Sequence, residues 1–290
     1  MTTAKPGGVR VVIGMSGGVD SSVAAALLKQ QGYDVIGVTM KLHNGEQADG
    51  GCCSLSAAAD ALRVADKIGI PHYVMNFTDA FEKHVIAYFI GEYKRGRTPN
   101  PCTACNKRVK FDALLEKARA LGAEYVATGH YAKITERDGR FLLERAADDK
   151  KDQTYFLYNL SQYQLSRTRM PLYGVTKDET REIAASLGLS VAQKKDSQEI
   201  CFVPDNDYAS FIERTAGRAP EGDFIFGGKK VGRHGGIHRY TVGQRKGLGI
   251  ALGECVYVTK IDPVTNEVFL GAEGSGARRE LTASEVTYIP

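Results

Sequence analysis

The sequence predicts an α/β protein in which a doubly wound parallel sheet is followed by a smaller, β-rich domain. Three observations carry this. A β-branched run, Arg10 to Gly14, meets a Gly-rich turn and then a helix-spaced apolar pattern. Strand-like and helix-like segments go on alternating, as a parallel sheet with crossover helices requires. After about Gly217 the texture becomes Gly-rich and β-prone.

Taken in order, Arg10 to Gly14 reads as the first strand. Val23, Ala24, Leu27 and Leu28 mark the first helix, and Val35 to Met40 the second strand, completing a βαβ unit. A helix around Ser56 to Ile68, a strand at His72 to Phe77, a long amphipathic helix from Asp79 to Tyr93, a helix from Asn106 to Leu121 and a strand at Tyr125 to Gly129 follow. Helical patterning returns at Tyr155 to Leu165 and Lys177 to Leu187. Beyond the boundary, Gly222 to Lys230 and Glu254 to Leu270 are β-prone, with a hairpin turn at Asp262 to Glu267. The domains expected are 1–217, 218–280 and the beginning of another at 281–290. In such a sheet a ligand binds outside the carboxyl ends of the strands.

The chain has 290 residues, 43% of them hydrophobic, enough for one large or two medium domains. No charged-then-apolar leader opens it and no apolar run is long enough to span a bilayer, so a cytoplasmic protein without membrane partners is expected. Its six cysteines then point to chemistry rather than to a disulfide framework. The net charge of +4 is modest, but basic residues cluster. Lys94, Arg95, Arg97, Lys107, Arg108 and Lys110 form one stretch without acids. Lys229, Lys230, Arg233, Arg239, Arg245 and Lys246 form another. They suggest a polyanion footprint, with solvated surface charge as the plain alternative.

Gly14-Met15-Ser16-Gly17-Gly18-Val19-Asp20-Ser21-Ser22 joins the first strand to the first helix. Adjacent glycines let the backbone approach a phosphate, the serines add hydroxyl donors, and a helix N-terminus favours an anion. No Gly-Lys-Ser/Thr follows, so this is not the Walker loop, nor does it have dinucleotide-fingerprint spacing. Ser-Gly-Gly-Val-Asp-Ser resembles the signature of the PP-loop ATP pyrophosphatases, whose members cleave ATP between the α- and β-phosphates, normally with Mg²⁺, and transfer AMP to an oxygen. Asp20 serves in this reading either the metal or the helix cap.

Thr98-Pro99-Asn100-Pro101-Cys102-Thr103-Ala104-Cys105-Asn106-Lys107 is the second informative segment. Cys102 and Cys105 stand at a helix start with Lys107, Arg108 and Lys110 nearby, a setting that favours a thiolate. Cys105 is the nucleophile candidate. Cys201, after Lys194 and Lys195, offers the second thiol a sulfur relay needs; its plain alternative is a small core residue. Cys52 and Cys53 read as incidental.

With these motifs, and with Ala127 to Tyr131, Lys151 to Leu157, Asp196 to Phe202 and Thr241 to Gly247, the chain resembles the MnmA family of bacterial tRNA-specific 2-thiouridylases over essentially its whole length. The resemblance implies that ATP lies on Gly14, Met15, Ser16, Gly17, Gly18, Val19, Asp20 and Ser21, with Met40 and Gly129 at the adenosine. It implies that Asn100, Pro101 and Cys102 meet the target base, that His130, Lys151, Asp152 and Gln153 touch tRNA, that Cys105 is the catalytic thiol and that Cys201 carries a persulfide. The partners implied are tRNA and a sulfur donor protein or sulfide. Many members carry Asp where this chain has Cys102, which opens a second route: Cys102, Cys105 and Cys201 as ligands of a [4Fe–4S] cluster that presents sulfur. Members also continue into a third, barrel-like domain, of which 281–290 is the expected threshold. The competing functions are a PP-loop enzyme acting on a small molecule and a non-enzymatic ATP-sensing or RNA-binding module.

Overall fold

The computed structural model describes residues 8–43, 55–196, 200–203, 205–277, 279–283 and 286. Cys52, Cys53, Ser197 to Glu199 and parts of 281–290 lie outside these residues.

In chain order, β1 (Arg10–Gly14), α1 (Val19–Gln30), β2 (Asp34–Lys41), α2 (Leu55–Ile68) and β3 (His72–Asn76) lead to α3 (Thr78–Phe81), a π-helical stretch Glu82–Ile86 and α4 (Ala87–Lys94). Then come α5 (Pro101–Cys105), a second π-helical stretch Asn106–Ala113, α6 (Leu114–Ala120), β4 (Tyr125–Ala127), β5 (Lys133–Arg137), β6 (Arg140–Glu144), α7 (Gln162–Ser166), β7 (Thr168–Arg169) and α8 (Lys177–Ser186). The remainder is α9 (Tyr208–Ala216), β8 (Gly222–Phe226), β9 (Lys229–His234), β10 (Tyr257–Asp262) and β11 (Glu267–Gly271).

The main sheet is parallel, in the order β3-β2-β1-β4-β7. Val11, Val12 and Ile13 of β1 are fully buried, as a strand covered on both faces demands. The chain builds outward from β1 through β2 to β3, then returns to β1's other side at β4. That reversal makes a crevice at the carboxyl ends of β1 and β4. α1 is buried along most of its length because Ala24, Ala25 and Ala26 let it lie close to the sheet. α1, α2 and α8 share a core with β1, including Val11, Ile13, Val23, Leu28, Val64 and Ala184.

Two compact units emerge. The first consists chiefly of the chain up to His84 and of Cys102–Pro204; the second takes Val85–Pro101 and Asp205–Glu285. The second holds the sheet β10-β11-β8-β9, with its own core around Phe224, Val258 and Val268. Its β10–β11 pair is the antiparallel hairpin expected from Asp262 to Glu267.

Some elements differ from expectation. The helix expected from Asn106 begins at Pro101, a residue suited to a first helical position because it has no N–H to satisfy. The segment Asp79 to Tyr93 is helical but interrupted by the π-helical stretch. Tyr155 to Leu165 is only a 3₁₀ turn at Thr154–Phe156 and the short α7. The β5–β6 hairpin is absent from the expected elements, although its Asp138-Gly139 turn, with both residues at positive φ, is a strong short-range hairpin signal.

Candidate active site

The loop from Gly14 to Ser21 leaves β1 at the crevice. Gly17 is at φ +67°, and a Cβ there would lie 2.2 Å from the Ala57 carbonyl oxygen of α2, so both conformation and space demand glycine. Gly18 is the N-cap of α1 and provides no side-chain cap. The first turn of α1 is therefore left for an anion to satisfy. Ser16 is exposed, its N–H donates to Ser21 Oγ at 3.2 Å and the two hydroxyls are 3.4 Å apart. Ser22 departs from expectation. Its hydroxyl is fully buried and donates to the Gly18 carbonyl at 2.8 Å, so it shapes the turn rather than meeting phosphate. Met15 and Val19 are likewise core side chains, at 2% exposure each, and only their main chain belongs to the loop.

Met40 is half-buried next to the end of β2, and a Cβ on Gly14 would touch its Cε at 3.6 Å. Gly129 follows β4, where a Cβ would lie 2.6 Å from the Ser21 nitrogen. The loop after β4 thus packs directly onto the phosphate loop. Next to it, His130 is buried, 2.7 Å from the Thr128 hydroxyl through Nδ1 and packed near Phe111. Burial, aided by Lys110, holds its pKa well below the ordinary histidine value, so the ring is neutral. A buried neutral ring suits shaping this loop better than the RNA contact expected of it.

Lys151, Asp152 and Gln153 are half-buried and tied inward. Gln153 Oε1 accepts the Tyr131 N–H at 3.0 Å, while the Gln153 N–H donates to the Tyr131 carbonyl. Asp152 accepts the Thr154 hydroxyl, and Lys151 Nζ lies 2.9 Å from Asp196 Oδ2.

Among the cysteines, Cys102 is exposed in the first turn of α5, Cys105 is buried at its end and Cys201 is half-buried. The helix carrying Cys105 is anchored by Asn106 Nδ2, which donates to the Phe156 carbonyl, and by the Lys107 carbonyl, which accepts from Gln164 Nε2. Cys201 is held through its neighbour: Phe202 packs edge-on against Phe81 at 5.6 Å. Asn100 is exposed and Pro101 buried.

Sequence reasoning missed a cluster of charges beneath the loop. Asp20 neither caps α1 nor points freely outward. Its Oδ1 accepts from Lys177 Nζ at 2.7 Å and lies 2.9 Å from the Tyr131 hydroxyl. Lys177, the first residue of α8, also reaches Asp196 Oδ1 at 2.7 Å, with Arg181 adding a longer contact at 3.3 Å. Burial would raise the Asp196 pKa, but hydrogen bonds from Lys177 and Lys151 outweigh it and hold the carboxyl below its usual range. Lys194 Nζ donates to the Gly17 carbonyl at 2.9 Å and pairs with Asp60 at 2.6 Å. No local spacing signals this set, because its members are far apart along the chain.

The basic stretches also look different in space. Arg95 and Arg97 pair with Glu92, Lys230 and Arg233 with Asp223, and Arg239 with Glu213. Much of the charge that suggested a polyanion footprint is therefore compensated locally. Among the described residues, no helix is long and apolar enough to cross a membrane, and no three His, Cys, Asp or Glu side chains are grouped to hold a metal ion.

Comparison with known proteins returned two family models, described as a tRNA methyl transferase HUP domain over residues 9–205 and a tRNA methyl transferase PRC-barrel domain over residues 209–272. The tRNA-specific 2-thiouridylase MnmA of Clostridium perfringens is 58% identical over 286 residues, covering 97% of this chain and 80% of that protein. The protein of the same name from Clostridium acetobutylicum is 57% identical, covering 97% and 81%. A solved complex of a 4-thiouridine synthetase with RNA and bound ATP aligns over 71% of this chain and 50% of its own, at 18% identity and a TM-score of 0.44.

Proposed function

The chain belongs to the MnmA family of tRNA-specific 2-thiouridylases, and from that membership we infer how its residues divide the work of making 2-thiouridine in tRNA. It is an ATP-using sulfurtransferase. The observation that carries the division is that one compact unit contains the uncapped phosphate loop and both Cys105 and Cys201.

The residues present suit ATP. Gly17 and Gly18 leave room at the loop, the first turn of α1 accepts negative charge, and Ser16 is an exposed hydroxyl. Met40 and Gly129 flank the loop where the adenosine is expected. Asp20 is the carboxylate beside it; Lys177 and Tyr131 take its Oδ1, so Mg²⁺, which commonly takes one or two carboxylates together with phosphate oxygens and waters, would be held by its other oxygen. When bound, the ion supplies neutralisation of the pyrophosphate charge. The cluster route fits less well: Cys102, Cys105 and Cys201 do not form a three-ligand group among the described residues.

On this reading the wobble uridine is extruded from its stack toward Asn100 to Cys102. Its C2 oxygen attacks the α-phosphate, the bond to the β-phosphate breaks and pyrophosphate leaves. A persulfide on Cys201, formed by transfer of the outer sulfur of a donor persulfide, whose thiol is left behind, attacks C2 through its terminal sulfur and displaces AMP. The Cys105 thiolate then attacks the Cys201 sulfur, releasing 2-thiouridine and leaving a Cys105–Cys201 disulfide that a dithiol reductant reopens. Lys151 to Gln153 remain the proposed tRNA contacts, with their inward bonds fixing the loop that presents them.

The test is thiolation of unmodified tRNA with ATP, Mg²⁺ and a persulfide donor or sulfide, with iron quantified in anaerobically prepared protein. AMP and 2-thiouridine formed from persulfide without iron support the relay. Activity only with iron bound overturns it, and tRNA binding without 2-thiouridine under every condition overturns the function.

A further inference from the structure

We propose that Lys177 is a positioning residue that ties the segment leading to Cys201 onto the phosphate loop, keeping sulfur transfer coupled to adenylation. The inference rests on the roles assigned above to the loop and to Cys201. Lys177 does not touch the reacting atoms in this scheme; it acts through the two carboxylates it joins.

The observations are geometric. The Lys177 side chain is only 10% exposed, and its ammonium lies 2.7 Å from a carboxylate oxygen on each side, Asp20 in the loop and Asp196 five residues before Cys201. A nearly buried ammonium requires such partners. A second tether runs alongside, since Lys194 in the same segment donates to the Gly17 carbonyl. The segment therefore meets the loop at residues 17 and 20, on both sides of its phosphate-facing turn. Beyond Asp196, the Phe202 ring lodges against Phe81, so described contacts hold the chain on either side of Cys201's approach.

The position of Lys177 is itself fixed. Its backbone N–H donates to Asp148 Oδ2 at 2.9 Å, and Thr176 and Glu179 form a reciprocal capping box at this helix end. The lysine is thus delivered by a rigid helix start rather than by a loose surface chain. Adenylation requires the loop, and sulfur transfer requires the Cys201 thiol; Lys177 bonds to the loop through Asp20 and to Asp196, which precedes Cys201 in the chain.

Loss of the tether should leave AMP transfer largely intact while the thiol arrives late. The adenylated uridine would then be attacked by water, returning uridine and AMP. In the full chain with tRNA, ATP, Mg²⁺ and a persulfide donor, AMP and 2-thiouridine are counted together. The wild type should form them in equal amounts. Lys177→Met should lower 2-thiouridine about 10²-fold, the scale expected of a misplaced reactive group, with AMP formation much less affected. Asp196→Asn, which leaves the Asp20–Lys177 pair in place, should uncouple in the same direction, and Lys177→Arg should restore coupling in part because a guanidinium can serve both acids. Equal losses of both products in folded Lys177→Met and Asp196→Asn overturn the proposal. Failure of the wild type to make any 2-thiouridine overturns the function instead.

Discussion

At the scale of single residues, the loop glycines are the most sharply determined positions. Gly17 has a positive φ and no room for a methyl group, and Gly129 stands against the backbone of Asp20 and Ser21. Gly129→Ala is expected to push the loops apart and weaken ATP binding by about tenfold or more, readable by titration with a fluorescent ATP analogue; unchanged affinity would show that the loop after β4 gives way without cost. The cysteines predict more. Cys105→Ser and Cys201→Ser should each lower 2-thiouridine formation by about 10³-fold or more while ATP binding stays as in wild type, since a hydroxyl can neither carry nor resolve a persulfide. At Cys102 the resemblance to the family leads one to expect Asp. Cys102→Asp should keep thiolation within about threefold of wild type, and a collapse of activity would give this exposed thiol a duty that a carboxylate cannot perform.

At the scale of elements, α8 is the piece whose role the sequence concealed. Its periodicity was plain, and Thr176 with Glu179 is a readable capping box, yet nothing local shows that its first residue bonds to the phosphate loop. Thr176→Ala removes the Oγ acceptor for the Glu179 N–H and should cost about 1 kcal/mol in urea unfolding. The same asymmetry runs through the site. The phosphate loop and the Cys102–Cys105 spacing were legible because their chemistry is packed into a few adjacent residues. The Asp20–Lys177–Asp196 set was not, because its members lie on three separate segments and only the sheet brings them together. The β5–β6 hairpin differs, since its Asp138-Gly139 turn is a local signal that the sequence does carry.

At the scale of the whole molecule, three histidines are buried away from their charged forms. His130 is held neutral by burial with Lys110 nearby. Burial also lowers His234 and His238, although Glu213 beside His238 opposes the shift. In each case the unfolded chain binds a proton more readily, so stability falls as pH drops from about 6.5 toward the lower folded pKa, and is regained on returning to neutral pH. The melting temperature should therefore decline between about pH 6.5 and 5, and His130→Gln should flatten that decline. A melting temperature flat across this range would mean that the carboxylates, whose window lies lower, dominate the acid response.

The sequence alone determined the parallel α/β sheet and the family, and it singled out the Gly-rich loop and the two thiols as candidates, because strand and helix periodicity, glycine conformation and thiol chemistry are written in short runs of residues. Tertiary structure decided which of the singled-out side chains face the site. It put Met15, Val19 and Ser22 into the core, made His130 a neutral wall residue, paired Arg95, Arg97, Lys230, Arg233 and Arg239 with nearby acids, and set Lys177 between Asp20 and Asp196. The reason is physical: burial and charge pairing depend on which distant segments fold against one another, and a linear pattern records only the neighbours a residue has along the chain.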